Sequence, residues 1–528
     1  MAGKQIGIKR TFTDRVVELF NPKAGLDRYQ HRLAIAALGS SGYLTPGSSR
    51  KSLRGWSFLG ENPISETVDK GEDIREGVRD LFKNSPVSGA LLRRMAYKVV
   101  GPGLTLQARP DYEALGLPKE QASTWTKQVE REFRMWSKTC DATQTDSLNR
   151  LAFLALLSWM RDGDVFAGFP MVKRKGQVYQ TRVMLIDGAQ VGNNLSMMRE
   201  GWLGGVKCDK YGAPEAYYIR DWNPQLNDWA LTGKEIPAFG SKTGRRNIVH
   251  LVNKEWIGQR RGVSILAPVI EPLRQITQLS QAAVTKAIIQ AFITVFITHN
   301  QAEAMESPVP VSDQVEPDEP QSYEMGSGTV YDLDEGDDVK VVQSTSQPDF
   351  DPVFKAIVMQ IGANVGVAFE VLMMHFTASY SASRAALMES WTTFLTLRTW
   401  LVDLFLQEAY EAFLWEAVAS GRIIAPGFFT DPAIRAAWCA SRWTGRGPGQ
   451  IDPLKEVNAA EKRLKNHLTT HEDEHTAIHG GDWDSSMDRL AAEEETLARL
   501  GLKTGDGESS QGSDSSAANK TLEDLQDE

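Results

Sequence analysis

Cysteine is nearly absent from this chain: three residues in 528 (Cys140, Cys208, Cys439), forming neither a CxxC pair nor an even framework. A disulfide-stapled secreted fold is thereby excluded, and a reducing compartment fits. Long hydrophobic runs are missing too. The most apolar stretch, Ala287–Ile297, is about half of the roughly twenty residues that span a bilayer. A buried helix in a soluble, non-membrane protein is the expectation there. No apolar core of signal-peptide length follows the basic start at Lys4, Lys9 and Arg10. An excess of positive charge is lacking as well. The net charge of −10 argues against a free nucleic-acid binder, yet it does not exclude a protein that lets DNA pass without gripping it, because acidic surface repels phosphate. Signatures of nucleotide and acyl chemistry are absent: no GxxxxGK[ST] loop, no GxSxG elbow, and Gly204-Gly205 without a phosphate-binding helix behind it. No repeat at a fixed period occurs.

What the chain does have is one long uninterrupted helical pattern. From Arg384 to Ser420 there is neither glycine nor proline, and apolar residues recur at helical spacing: Leu387, Trp391, Phe394, Leu401, Phe405, Ala409, Phe413 and Ala417. Such a rod would be roughly 50 Å long. Ser381 or Ser383 caps its start, and Gly421 followed by Pro426 stops it. A rod of that length needs neighbours throughout, and copies of itself closed around a hole would supply them. Just upstream, Met373–Ser381 breaks one helix from the next. Its Met373, Met374, His375 and Phe376 suit either a core-facing helix end or an exposed loop against a variable partner.

Around the rod the segments alternate in character. A short helix at Thr13–Phe20 and a Gly/Ser arm precede a helical pattern from Ser65 to Lys98, stopped by Gly101-Pro102-Gly103. Amphipathic helices follow at Trp125–Trp136 and Leu148–Met160. Between Gly163 and Val252 the chain reads as short strands: Val165–Val172, Gln177–Ile186, Gly201–Asp209, Glu215–Trp222 and Asn247–Val252. Helix returns after Ser264 and is expected to run to Thr298. Residues 300–348 form an island rich in Pro, Gly, Asp and Glu, with strands expected at Gly328–Leu333 and Val339–Gln343. A helical run then opens at Pro352, Trp438–Gly449 is a Trp/Gly/Arg turn, charged helices fill Asp452–Leu500, and an acidic tail closes the chain.

The sharpest catalytic pattern is His471-Glu472-Asp473-Glu474-His475, which fits HExxH and would set two imidazoles on one helix face for a zinc hydrolase. His467 and His479 extend the four-residue spacing. Against it, both middle positions are acidic, and no downstream ligand completes the set, so a solvated helix face is the better reading. Asp332, Asp334, Glu335, Asp337 and Asp338 lack the alternation of a calcium loop and read as a solvated acidic loop. No catalytic residue, cofactor or metal is assigned.

The blocks Arg261–Ser264, Phe369–Trp391, Trp443–Leu464 and Gly480–Leu502, in this order, resemble the portal proteins of tailed phages, specifically the lambda-type family. The resemblance implies an α+β portal-type fold with long stem and wing helices, a β-rich wing subdomain and a helical crown, assembled as a ring of typically twelve subunits at one capsid vertex. It implies no enzyme. The ring would carry double-stranded DNA during packaging and ejection, with a terminase large subunit as motor, a head-completion adaptor, and capsid and scaffolding proteins as partners, in the virion and, during assembly, the host cytoplasm. By chain order it implies an N-terminal arm at 1–60 and a wing at 61–263. Stem helices at 264–298 and 349–370 would flank a clip at 299–348 bearing Asp332, Asp334, Glu335, Asp337 and Asp338. A tunnel loop at 371–383 would present Met373, Met374, His375, Phe376, Thr377, Ser379 and Tyr380 to DNA. The wing helix and its return would occupy 384–450, with Trp391, Phe394, Leu401, Phe405 and Phe413 at the ring interface, ahead of a crown at 451–502 and a tail at 503–528.

Overall fold

The computed structural model describes residues 67–193, 201–225, 227–291, 295–299, 337–341, 350–376, 379–449, 452–481 and 483–501. The expected helix at Thr13–Phe20, the strand at Gly328–Leu333 and the acidic tail lie outside these residues.

The single helix expected from Ser65 to Lys98 is interrupted: α1 (Gly71–Asn84) and α2 (Pro86–Val99) meet at Ser85-Pro86. Proline has no N–H to continue α1, yet it suits the first turn of α2, so the chain breaks and restarts there. Next come β1 (Thr105–Ala108), α3 (Lys119–Ser137) and α4 (Leu148–Asp162). The last ends on Gly163 at φ +89°, where a Cβ would lie 2.5 Å from the Val263 backbone. Only glycine meets both the left-handed backbone and that close approach.

The expected β-rich region forms two antiparallel sheets. β2 (Asp164–Gly168) lies between β3 (Met184–Asp187) and β8 (Ile248–Val252). The other sheet runs β4 (Trp202–Leu203), β5 (Val206–Cys208), β6 (Pro214–Asn223) and β7 (Asp228–Pro237). A register shift between Arg220 and Trp222 marks a bulge in its long hairpin.

Helix α5 (Ile270–Ala291) stops earlier than its expected end at Thr298. The stretch beyond is a strand, β9 (Val295–His299), paired antiparallel with β10 (Asp337–Val341). The helix expected at Ala287–Ile297 therefore gives way to a strand, and its first residues, Ala287 and Ile288, are exposed. A short run of β-branched residues has no period that separates strand from helix. α6 (Phe350–Val365) packs back against α5, and the five-residue α7 (Phe369–Met373) leads to the rod.

The rod is α8 (Tyr380–Leu401), one π-turn (Val402–Leu406) and α9 (Gln407–Ala419), terminated at Gly421 with φ +73°. Ser379, rather than Ser381 or Ser383, is its cap: the side chain accepts from the Ala382 N–H. α10 (Pro432–Cys439) and β11 (Ser441–Thr444) replace the expected turn, and β11 pairs with β1 across more than three hundred residues of sequence. Three helices follow: α11 (Pro453–Lys465), α12 (His471–His479) and α13 (Trp483–Leu500).

One continuous hydrophobic core joins α1–α4, the first sheet, α5–α7 and the rod. Phe413 sits at its aromatic centre, with ring centroids 5.4 Å from Phe133, 5.4 Å from Trp136 and 5.0 Å from Tyr179. The rod is therefore sheltered by its own chain. Trp391, Phe394, Leu401, Phe405 and Phe413, expected at a subunit interface, are all buried here against their own chain. The inference from rod to ring fails for a plain reason: α3, α4 and the return through β11 supply the neighbours the rod needs.

Where the first sheet meets the helices, the core holds charge. Asp164 is fully buried and faces Arg261, with His250 at 3.4 Å and Arg75 at 3.8 Å. Arg261 uses all five N–H donors: on both Asp164 oxygens and on the carbonyls of Gly188, Val191 and Gly204, each of these three at 2.6 Å. One guanidinium thus ties β2 to the loops entering the second sheet. Burial alone would raise the Asp164 pKa; the Arg261 charge outweighs it and holds the carboxyl far below its usual range.

Candidate functional site

The connection between α7 and α8 is short and carries large side chains outward. α7 ends because Met374 adopts φ +55°, a left-handed conformation costing a non-glycine residue about 1 kcal/mol. The His375 N–H donates to the Glu370 carbonyl at 3.2 Å and closes the turn. Val371 and Leu372 anchor it in the core, while Met373, Met374, His375 and Phe376 point away from it into solvent. Of the two readings open to these residues, the structure has the exposed loop. Ser379 is a helix cap and Tyr380 the first residue of α8, so the loop is shorter than the expected 371–383. Thr377 lies outside the described residues. Arg384 donates to the Tyr380 hydroxyl at 3.3 Å and pairs with Glu456, tying the start of the rod to α11.

Beside this loop runs a groove of about 430 Å³ between α2 and the start of α8. Arg93, Arg94, Tyr97 and Lys98 line one side, Met374 and Phe376 the other. Arg93 stacks on Phe82, its guanidinium 4.5 Å from the ring centroid. Arg94 donates to the Val371 carbonyl at 3.1 Å, and burial lowers its pKa. In a chain of net charge −10, these cations form a basic, aromatic ledge that patterning alone did not single out.

The acidic group resolves only in part. Asp337 and Asp338 sit on β10, opposite His299 and Thr298 of β9. Asp332, Asp334 and Glu335 lie outside the described residues. The β9–β10 pair is reached from α5 and returns to α6, so a two-stranded projection lies between two packed helices.

The HExxH pentad opens α12, but its carboxylates are engaged. Glu472 pairs with Arg109 and Arg442, Asp473 with Arg442 at 3.0 Å, and Glu474 with Arg463 at 2.7 Å. His471 stacks on Trp483, their centroids 6.0 Å apart, and His467 lies outside the helix at φ +56°. These contacts pin α12 to β1, β11 and α11, which is a structural duty. Among the described residues no group of three or more His, Cys, Asp or Glu side chains is placed to hold a metal, and no helix is long and apolar enough to cross a membrane.

Comparison with known proteins places these features in a family. Portal protein B of Escherichia phage lambda is 24% identical over 486 residues, spanning 85% of this chain and 89% of that protein. The portal protein of Escherichia phage N15 is 24% identical over 484 residues, spanning 83% and 88%. Among solved structures, a chain from the virion of a native gene transfer agent particle aligns with 15% identity and a TM-score of 0.41, over 73% of this chain and 96% of that one. A chain from the neck of the native particle, computed with C12 symmetry, aligns with 12% identity and a TM-score of 0.40, over 85% and 98%. The model of the phage portal protein lambda family matches residues 49–398, about two thirds of the sequence, and the chain therefore belongs to that family.

Proposed function

We propose that this portal protein acts as one subunit of a closed ring, typically of twelve, through which double-stranded DNA enters the head during packaging and leaves on ejection. Portal proteins are structural proteins, not enzymes. The observation that carries the reading is the exposed loop at Met373–Phe376, held out by a rod whose underside is locked in the core. Met373, Met374, His375, Phe376, Thr377, Ser379 and Tyr380 line the channel. Flexible thioethers and a phenyl ring touch a moving duplex without the counterion-release affinity that rows of cations would add. Arg93 and Lys98 on the neighbouring ledge meet only a few phosphates, enough to centre the strand.

The pair α5 and α6 forms the stem, and the β9–β10 projection with Asp332, Asp334, Glu335, Asp337 and Asp338 forms the clip. There the terminase large subunit docks during packaging, and a head-completion protein docks afterwards. Helices α11–α13 form the crown inside the head. Capsid and scaffolding proteins surround the wing, and assembly takes place in the host cytoplasm. The test replaces Met374 and Phe376 by serine. Rings should assemble normally while packaged DNA length or titre falls at least tenfold; wild-type titre would refute the channel-loop assignment.

A further inference from the structure

A second face of the rod is built for contact. Along α8 the exposed positions Ser381, Ala385, Met388, Thr392, Leu395 and Thr399 recur at three- and four-residue steps, and none is charged. A helix stripe meant for water ordinarily carries charged residues over five turns. At its far end the stripe meets a groove of about 390 Å³ walled by Trp391, Leu395, Trp443, Thr444, Thr476 and the ion-paired Arg442 and Asp473. Thr444 is only 3% exposed, and its hydroxyl has no hydrogen-bond partner; the Trp443 indole N–H and the Thr476 hydroxyl are likewise buried and unsatisfied. Arg398 lines the same groove. Its donors go to the carbonyls of Lys98, Val99 and Arg446, and among the described residues no carboxylate lies within ion-pair distance.

The complementary shape is on the same chain. After β8, the turn Glu255-Trp256-Ile257-Gly258 projects an apolar pair, with Trp256 57% exposed and Ile257 fully so. The turn is rigid. Gln259, buried beneath it, accepts from the N–H groups of Glu255 and Trp256 and donates to the carbonyls of Asn253 and Arg261. A buried amide spent on holding two large side chains in water marks a preorganised anchor. Glu255 beside it carries the charge that Arg398 lacks.

Anchor and groove lie at opposite ends of α4. Its N-terminal end is near the groove, where the Leu104 N–H meets Asn149 and Leu104 approaches Gly445. Its C-terminal end is near the turn, where Gly163 packs on Gly262 and Val263. Fifteen residues of helix hold them about 20 Å apart. Two unlike, complementary patches at separate places on one chain are what a head-to-tail interface requires, and such interfaces close into rings.

We infer that the Trp256–Ile257 turn of one subunit inserts into the Trp391–Leu395–Trp443–Thr444 groove of the next, with Glu255 against Arg398. The inference rests on the ring reading above and names its contact surface. The full-length chain is tested in two ways. Trp256→Ser with Ile257→Ser should raise the protein concentration needed for ring assembly at least tenfold in mass photometry, with the thermal melt of the unassembled chain unchanged. Trp256→Phe with Ile257→Leu should restore assembly. In a Cys208→Ser background, Ile257→Cys combined with Leu395→Cys should give a ladder of disulfide-linked subunits on oxidation, and either cysteine alone should not. Rings that assemble as wild type from the serine variant, without a ladder from the cysteine pair, overturn this interface and leave the portal reading intact. A wild-type chain that forms no ring under any assembly condition overturns both.

Discussion

Arg261 offers the clearest quantitative test of how the β-rich region is held to the helices. Its guanidinium bonds to Asp164 and to the carbonyls of Gly188, Val191 and Gly204, all in a site sealed from water. Arg261→Lys keeps the charge but supplies three donors in place of five, so at least two acceptors lose their partners. At about 1–3 kcal/mol for each buried unsatisfied group, the loss should be about 2–6 kcal/mol. Arg261→Met removes the counter-charge and leaves Asp164 with the Gly262 N–H and the longer contacts to His250 and Arg75, for which about 3–5 kcal/mol is expected. Urea unfolding gives the magnitude. Hydrogen exchange gives the location, because protection should fall first between residues 188 and 206, where the three carbonyls lie. A lysine variant within about 1 kcal/mol of wild type, with unchanged exchange in that segment, would refute the claim that this arginine clamps the two sheets.

Three other outcomes follow from the same structure. Glu416 accepts from the backbone N–H groups of Gln180 and Thr181, each at 2.7 Å, so Glu416→Ala should cost about 2–4 kcal/mol in urea unfolding, and a loss below 1 kcal/mol would argue against this tie. The pH dependence should have two phases. Burial depresses the His250 pKa below its ordinary 6.5, so the unfolded chain takes up a proton that the folded one refuses, and stability declines as pH falls below about 6.5. Asp162 and Asp164 are depressed from 3.8 because their arginine partners outweigh burial, so a steeper loss begins near pH 4; a melting temperature flat from pH 7 to 3 would contradict both. Finally, His475→Asn should leave metal content at background and the melt within about 1 kcal/mol, since the ion pairs around it are partly solvated. Stoichiometric zinc in the wild type, lost in the variant, would revive the hydrolase alternative.

Much of the helical framework was legible because its signals are local. Gly163 and Gly421 end helices where their positions suggested, and α3, α4 and the rod follow the apolar spacing that marks them. What escaped notice depends on distant parts of the chain. β1 and β11 are four residues each and acquire meaning only from each other. β7 is exposed along most of its length and offers no hydrophobic alternation. The end of α5 was overrun because β-branched residues suit either element when the stretch is short. The rod was rightly read as amphipathic, but its apolar stripe does not say whose atoms cover it, and the answer was the same chain. Arg261 fell within the Arg-Gly-Val-Ser block that carried the family resemblance, yet its role as a buried clamp could not be read there, since a charged residue in sequence looks like surface until its partners are placed.

The π-turn at Val402–Leu406 has a consequence for how the rod tolerates change. A wider turn takes up one extra residue, so the residue spacing along α9 runs one position, about 100° of helix, out of step with the spacing along α8. The lane of uncharged residues on α8 therefore does not carry on along α9, whose Ala409, Tyr410, Ala412, Phe413 and Leu414 are embedded. Deleting a single residue within the turn would convert it to ordinary helix. Because the wider turn absorbs the extra residue, that edit would keep the rod a helix and leave both the outward lane and the embedded half facing as they do now.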